Sequence, residues 1–303
     1  MESAAPQYHC VTPEFTYCFK NGSPHFVVFV ILAIINHKLF KMKKILLLYS
    51  FLIFACSGGG DSDDGSEDII GDNFIVSAEF AELFNNIGGQ STVGNNQILK
   101  KDAESIMELD LSDPVGGSNI GYLDDLSGIE NFTNLRRLTI DRQSLRNIDL
   151  SKNKKLEYIH IWNNKLISIN LDGLENLETL ELNGNKLESI NLSDSPYITH
   201  LRLAQNFFSS YDLSSTPRVD YLVLKSNPLT QLSNLNDLTL LRFLYMESTD
   251  LSSLDVSQLP SLQVVEAPNT NLLNCIQVSQ NQLDNFVSTW INDEGDVFLL
   301  NCD

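Results

Sequence analysis

From Leu135 to Leu272 the apolar and polar positions follow one pattern, and turns aligned at Leu135, Leu156, Leu177, Ile198, Val219, Leu241 and Leu262 step by 21, 21, 21, 21, 22 and 21 residues. A fixed period in this range marks a solenoid, built from units that each pack only on their neighbours. Within a turn, Leu180-Glu181-Leu182 alternates with period two, which predicts a short strand with leucines inward and the polar residue outward. Stacked turns then give a parallel sheet with one strand per repeat. A second alternating pair, Ile148/Leu150, Ile169/Leu171, Ile190/Leu192 and Leu254/Val256, closes the opposite wall. No single turn buries its leucines alone.

The ninth position holds Asn164, Asn185, Asn206 and Asn227. An amide facing inward there can bond backbone groups left unpaired at the bend, so the row reads as a structural ladder rather than a ligand site. Gln143, Thr249 and Thr270 stand in that slot in the outer turns, and the ladder is expected to be weakest at both ends.

Leu177, Leu180, Leu182, Asn185, Leu187, Ile190 and Leu192 spell L-x-x-L-x-L-x-x-N-x-L followed by x-x-I-x-L. This resembles the bacterial leucine-rich repeat in its 21-residue variant. The resemblance implies a β-rich α/β horseshoe, a leucine-rich-repeat solenoid with a concave parallel sheet, capped at both ends, with protein binding as its general activity. The repeats are placed at residues 106–274, where Ile106, Leu109 and Leu111 open a degenerate first turn that rejoins the pattern at Ile120, Leu123 and Leu126.

An open-ended solenoid exposes its core, so both ends need a cover. In front, Phe80, Leu83, Phe84 and Ile87 fall at helical spacing, predicting an amphipathic helix from about Ser77 to Gly88-Gly89. The segment around it, residues 71–105, resembles the amino cap of flavobacterial repeat lipoproteins. Some such caps look like a calcium loop, but Ser91 and Val93 occupy the positions of the first ligands, and no calcium site is read. Behind, Leu283, Phe286, Val287, Trp290 and Ile291 predict a second amphipathic helix, followed by a closing strand over 297–300. Residues 275–303 look like the carboxyl cap of the same lipoproteins, with a cysteine at each border.

The amino end has a different character. Met42-Lys43-Lys44, the apolar run from Ile45 to Phe54 and the Ala55-Cys56 junction read as a signal peptide over 42–55. The junction resembles the bacterial lipobox, which implies lipidation of Cys56 and a membrane tie through it. Residues 1–41 then precede the signal and are read as a mis-annotated upstream extension. The competing reading is a membrane segment running from Phe26 through Phe54, which places several lysines in the bilayer. After Cys56, residues 56–70 form an acidic, glycine-rich flexible tether. Its acidic cluster is similar to the surface-export signal of Bacteroidetes lipoproteins, which implies an outer-membrane lipoprotein displayed at the cell surface.

The chain carries a formal charge of −19, and without residues 1–55, which hold five lysines and two glutamates, 15 basic and 37 acidic residues remain for a net −22. That surface repels nucleic acid and anionic lipid. Of five cysteines, Cys10 and Cys18 lie in the extension and Cys56 is assigned to lipid, leaving Cys275 and Cys302 in an oxidising compartment. A Cys275–Cys302 disulfide is expected; the alternative is two free buried thiols.

Candidate chemistry is sparse. His160 and His200 are the two histidines past residue 56, and they lie two strands apart, about 9–10 Å across the sheet and too far for one zinc ion. A solvated row of complementary neighbours, His160–Glu181–Arg202, explains them without a metal. No phosphate loop, nucleophile elbow or zinc spacing is present, so neither a catalytic residue nor a cofactor is assigned. What the solenoid offers is its concave face. Its third position reads Arg137, Tyr158, Thr179, His200, Tyr221, Phe243 and Val264, and its fifth reads Thr139, His160, Glu181, Arg202, Val223, Tyr245 and Glu266. Tyr158, His160, Trp162, His200, Arg202, Tyr221, Phe243 and Tyr245 are the candidate ligand-binding residues, because aromatics where no core needs them anchor interfaces. The expected partner is a protein, with a glycan for a polysaccharide uptake system as the alternative, and the expected state is monomeric.

Overall fold

The computed structural model describes residues 9–11, 17–19, 73–86, 91–92, 96–112, 122–270, 272–293 and 297–302. The expected signal peptide at 42–55, the lipid site Cys56, the tether at 56–70 and Val93 of the calcium-like stretch lie outside these residues. The chain divides into two units, 1–67 and 68–303. In the first, His9–Val11 pairs antiparallel with Tyr17–Phe19.

The second unit is the solenoid. Eight three-residue strands form one parallel sheet in strict chain order, Glu108–Asp110, Arg137–Thr139, Tyr158–His160, Thr179–Glu181, His200–Arg202, Tyr221–Val223, Phe243–Tyr245 and Val264–Glu266. Register follows repeat position throughout, so Leu109, Leu138, Ile159, Leu180, Leu201, Leu222, Leu244 and Val265 stand in one line. Each is at most 2% exposed, and the residues on either side of it are more exposed, Val223 at 5% being the most covered of them. This is the alternation that the repeat pattern requires. The 22-residue step before Leu241 is absorbed outside the sheet, where Leu235–Asp237 forms a 3₁₀ turn after Asn234 in the left-handed region.

The opposite wall is built in pieces. Asn147–Asp149 pairs with Ser168–Asn170, Ser210–Asp212 with Gln231–Ser233, and Cys275–Gln277 lies between Leu254–Asp255 and Val297–Leu299. The first break falls at Ser189–Asn191. There the next turn puts Tyr211 in the slot that Ile148, Ile169 and Ile190 occupy, with its ring edge-on to Phe208 at 5.6 Å. A cavity of about 220 Å³ opens between the two turns.

The asparagine row behaves as a ladder. Asn185 Nδ2 donates to Ile161 O at 2.8 Å in the preceding turn, and its Oδ1 accepts from Leu166 N at 3.1 Å. Asn164, Asn206 and Asn227 repeat this geometry. The weakening expected at both ends occurs at one. Gln143 reaches Leu111 O at 3.0 Å and accepts from Leu123 N at 2.9 Å, because its extra methylene restores the span. The Thr249 and Thr270 hydroxyls donate to Met246 O and Ala267 O in their own turns and do not reach the preceding one. A second set of inward polar groups joins the turns on the other side. Asn153 Nδ2 donates to Ile129 O and Phe132 O, Ser195 Oγ to Leu174 O, and Gln282 Nε2 to Val256 O and Leu259 O.

Both ends are covered. In front, the helix Ala78–Asn86 begins where Ser77 Oγ accepts from Phe80 N at 3.1 Å, and it buries Phe80, Ala81, Leu83 and Phe84. Phe80 stacks on Phe132 at 5.8 Å while Phe84 and Phe74 meet the same ring edge-on, sealing the first turn. A small antiparallel sheet of Asn73–Ile75, Gln97–Leu99 and Ser91–Thr92 completes this cap. Behind, the expected long helix is only Gln280–Asn285, held at its start by a Ser279/Gln282 capping box. Phe286 leaves helical geometry at φ −125°, and a 3₁₀ turn over Val287–Thr289 redirects the chain. Ile291 then bonds Val265 and Ala267 along the last concave strand, so backbone pairing at the open edge prevails over helical periodicity. Trp290 is buried, and its indole N–H donates to Gln263 O at 2.8 Å. Cys275 and Cys302 form a disulfide with a Cα–Cα distance of 5.8 Å, tying the closing strand to the wall it pairs with.

Candidate functional site

The strand register sets the predicted residues side by side on the concave face. Tyr158, Thr179, His200, Tyr221 and Phe243 are consecutive cross-strand partners in one row, and His160, Glu181, Arg202, Val223 and Tyr245 are consecutive partners in the next. Trp162 follows the Tyr158–His160 strand, and its ring folds back onto His160 at 4.3 Å between centroids.

Two aromatic groups result. In the first, Tyr158, His160 and Trp162 are stacked, and the Arg137 guanidinium lies 4.0 Å from the Tyr158 ring centroid. In the second, His200 stacks on Tyr221 at 5.7 Å, and Tyr221 meets Phe243 and Tyr245 at 5.6 and 5.3 Å. Arg202 lies 4.7 Å over the Tyr221 ring and donates to its hydroxyl at 3.1 Å. Glu181 joins the groups, with Oε2 2.8 Å from His160 Nδ1 and Oε1 3.7 Å from Arg202 Nε. The eight predicted residues therefore form one surface.

The His160–Glu181–Arg202 row exists as expected, but only its Arg202 end, 32% exposed, is open to solvent. His160 and Glu181 side chains are 14% and 15% exposed, and the Tyr158 and Trp162 rings stack on the imidazole. Burial alone lowers an imidazole, yet the Glu181 hydrogen bond and the Asp141 and Glu181 charges outweigh it and hold His160 above its ordinary value of 6.5. Burial first, then the hydrogen bond with Tyr221, push Tyr245 up to about 12. Burial and the Glu181 charge also raise Tyr158.

Sequence reasoning missed two acids. Asp141 Oδ1 lies 2.9 Å from His160 Nε2 and also accepts the Trp162 backbone N–H at 3.3 Å. Asp220 stands 3.9 Å from His200 and 4.0 Å from Arg242. The signal was available: Asp141 holds the same repeat position as Trp162 one turn earlier, and Asp220 directly precedes Tyr221. Among the described residues, no group of three or more His, Cys, Asp and Glu is arranged to hold a metal ion. Asp141, His160 and Glu181 come together, but the imidazole spends both nitrogens on the carboxylates. Trp162 Nε1, Arg202 Nε and Asp220 Oδ1 are enclosed with no hydrogen-bond partner.

Among the described residues, no helix is long and apolar enough to cross a membrane. A family model described as the leucine-rich-repeat domain of the endo-beta-N-acetylglucosaminidase EndoS matches residues 100–206. No curated protein matches the chain. Among solved structures, an internalin (inlF) of Listeria monocytogenes is similar at 22% identity and TM-score 0.51, covering 73% of this chain and 70% of its own. An internalin C2 of the same organism gives 22% identity and TM-score 0.54 over 71% of this chain and 92% of its own. A leucine-rich-repeat protein of Leptospira interrogans gives 21% and 0.54 over 70% of this chain and 54% of its own. Repeat period, ladder, sheet and these likenesses agree: the fold is the leucine-rich-repeat solenoid.

Proposed function

We propose that the solenoid is a recognition module that takes a protein ligand against its concave face, centred on Tyr158, His160, Trp162, His200, Arg202, Tyr221, Phe243 and Tyr245, without catalysis of its own. One observation carries the reading. Among the described residues five enclosed side-chain polar atoms make no hydrogen bond, and three of them, Trp162 Nε1, Arg202 Nε and Asp220 Oδ1, belong to this face, the last two with only charged neighbours at 3.7 and 3.9 Å. Such groups are costly to leave unpaired, and clustered Trp, Tyr and Arg are the side chains that dominate protein interfaces.

The sequence supports export and anchoring. A signal over 42–55, a lipid on Cys56 and the acidic tether behind it would hold the solenoid as a monomer at the outer surface of the envelope. Intact mass of membrane-extracted protein tests this part: a mature chain beginning at lipidated Cys56 is expected, and a polypeptide retaining residues 1–41 refutes it.

A glycan ligand is the second reading, favoured by one finding, that the matching family model belongs to an enzyme named for its action on N-acetylglucosaminides. Aromatic faces also stack on sugar rings. A glycan array beside a pull-down from envelope extract, each run with wild type and with the Trp162→Ala/Tyr221→Ala variant, separates the readings. Capture of a protein that the variant loses supports the first, and glycan binding that the variant loses supports the second.

A further inference from the structure

The geometry points to a protonation latch within the proposed binding face: Trp162 and Tyr158 are held in their stacked arrangement by an imidazolium at His160, and the arrangement loosens when that ring loses its proton. This rests on the concave-face reading for its consequence, but the latch itself stands on contacts of the chain.

His160 Nε2 is 2.9 Å from Asp141 Oδ1, and Nδ1 is 2.8 Å from Glu181 Oε2. A neutral imidazole has one N–H, so it can satisfy one carboxylate and must turn a lone pair on the other. Two carboxylates at these distances are both satisfied only when both ring nitrogens donate. The ring is 14% exposed, so little water is at hand to relieve a mismatch. Its face lies on the Trp162 indole at 4.3 Å, the arrangement in which a cation is attracted to the ring.

The other groups facing His160 are the Tyr158 hydroxyl, 3.3 Å from Nδ1, and, one step out, Arg202 beside Glu181 and Arg137 over Tyr158. Both arginines are engaged with these neighbours, while both carboxylates point at the imidazole. The groups touching the ring nitrogens thus favour a positive ring. Loss of the proton frees one of the two acids. If Glu181 lets go, it has Arg202 to turn to; if Asp141 does, the carboxylate that also accepts the Trp162 backbone N–H is no longer anchored on the ring beneath the indole. His200, half exposed and 3.9 Å from a single carboxylate, has no such clamp.

Tryptophan emission of the full chain, followed from about pH 5 to about pH 9, the range in which a shifted histidine titrates, tests the latch without any ligand. A stacked imidazolium quenches indole, so emission should rise with pH at a midpoint above the ordinary value of 6.5. Trp162→Phe should abolish the transition, which assigns it to Trp162 rather than Trp290. His160→Gln should also abolish it, and Glu181→Gln should move the midpoint down by about 1 pH unit or more, as loss of an adjacent opposite charge requires. A wild-type midpoint at or below 6.5, or a transition that persists in His160→Gln with an unchanged circular dichroism spectrum, overturns the latch. The binding reading fails separately, if Trp162→Ala/Tyr221→Ala captures its partner as wild type does while the transition is intact in the parent chain.

Discussion

Asn206 and Leu187 lie in adjacent turns, and the Asn206 side-chain oxygen accepts the Leu187 backbone N–H at 3.0 Å while its amide donates back to Leu182 O at 3.0 Å. One side chain thereby pairs a donor and an acceptor of the preceding turn where no water reaches. Asn206→Ala leaves the Leu187 N–H unpaired, while Leu182 O keeps the Asn185 amide at 3.0 Å, so a loss of about 1–3 kcal/mol is expected from urea melts. Thr249→Ala gives up a single bond to Met246 O and should cost about 1 kcal/mol. Equal losses in the two variants would mean that the inter-turn span contributes nothing.

The sheet and its register were legible because period two within a strand and 21 between turns leave one way to bury the leucines. Tyr158, His160, Glu181 and Arg202 could be placed as neighbours from that register alone. The enclosure of His160 could not, since it depends on the rotamer that folds Trp162 onto the imidazole. The carboxyl cap was misread for a related reason. Leu283, Phe286, Val287 and Trp290 have helical spacing, yet the unpaired edge of the last concave strand draws in the backbone of Ile291, and the helix ends at Asn285. Periodicity reports which side chains seek cover, and says nothing of which backbone groups lack partners.

Cys275 and Cys302 enclose the segment that closes the solenoid, and the bridge restrains a loop worth about 3–4 kcal/mol of unfolded-chain entropy. Reduction should lower the melting temperature. Proteolysis of the reduced chain should begin within residues 275–303, where the short helix and 3₁₀ turn bury few side chains. Thiol labelling of the denatured, unreduced chain should find neither cysteine free, and labelling of both would refute the bridge.

Gly184 is held at φ +69°, and a β-carbon there would come within 2.6 Å of Asn163 Oδ1. Asn163, Gln205 and Ser226 take the same left-handed conformation at the matching place in their turns. Backbone angle alone therefore does not exclude a side chain, and at Gly184 the Asn163 amide adds a steric cost to the left-handed one. Gly184→Ala should cost about 1–2 kcal/mol, and less in an Asn163→Ala background. An unchanged cost in that background would place the whole effect in the backbone.

His160 has a raised folded-state value, so its contribution to stability is complete below the unfolded value of 6.5 and is lost as pH rises through the folded one. His160→Gln should therefore destabilise the chain more at about pH 6 than at about pH 8. Urea midpoints of both proteins at the two pH values measure this. A gap that is constant with pH, or larger on the alkaline side, contradicts the assignment of an imidazolium between Asp141 and Glu181.

Stability and recognition should separate between the two faces of the same strands. Leu180 is fully buried at the centre of the sheet line, and Leu180→Ala opens a cavity at about 2–5 kcal/mol. Trp162 and Tyr221 pack on His160, His200, Phe243 and Tyr245, all outside the core, and the turns beneath them close without their help. The double variant Trp162→Ala/Tyr221→Ala gives up ring stacking worth about 0.5–1.5 kcal/mol per pair beyond area, and some of that returns as the neighbouring rings relax. Its unfolding midpoint should fall by less than that of Leu180→Ala. Binding should move the other way, because aromatic anchors at the centre of an interface lose about 2 kcal/mol or more on truncation, which is a factor of about 30 in Kd. Leu180→Ala, while still folded, should bind within a few-fold of wild type. If the double variant holds its partner as tightly as wild type does, the concave face is not the site, and the convex loops and the two caps become the surfaces to test.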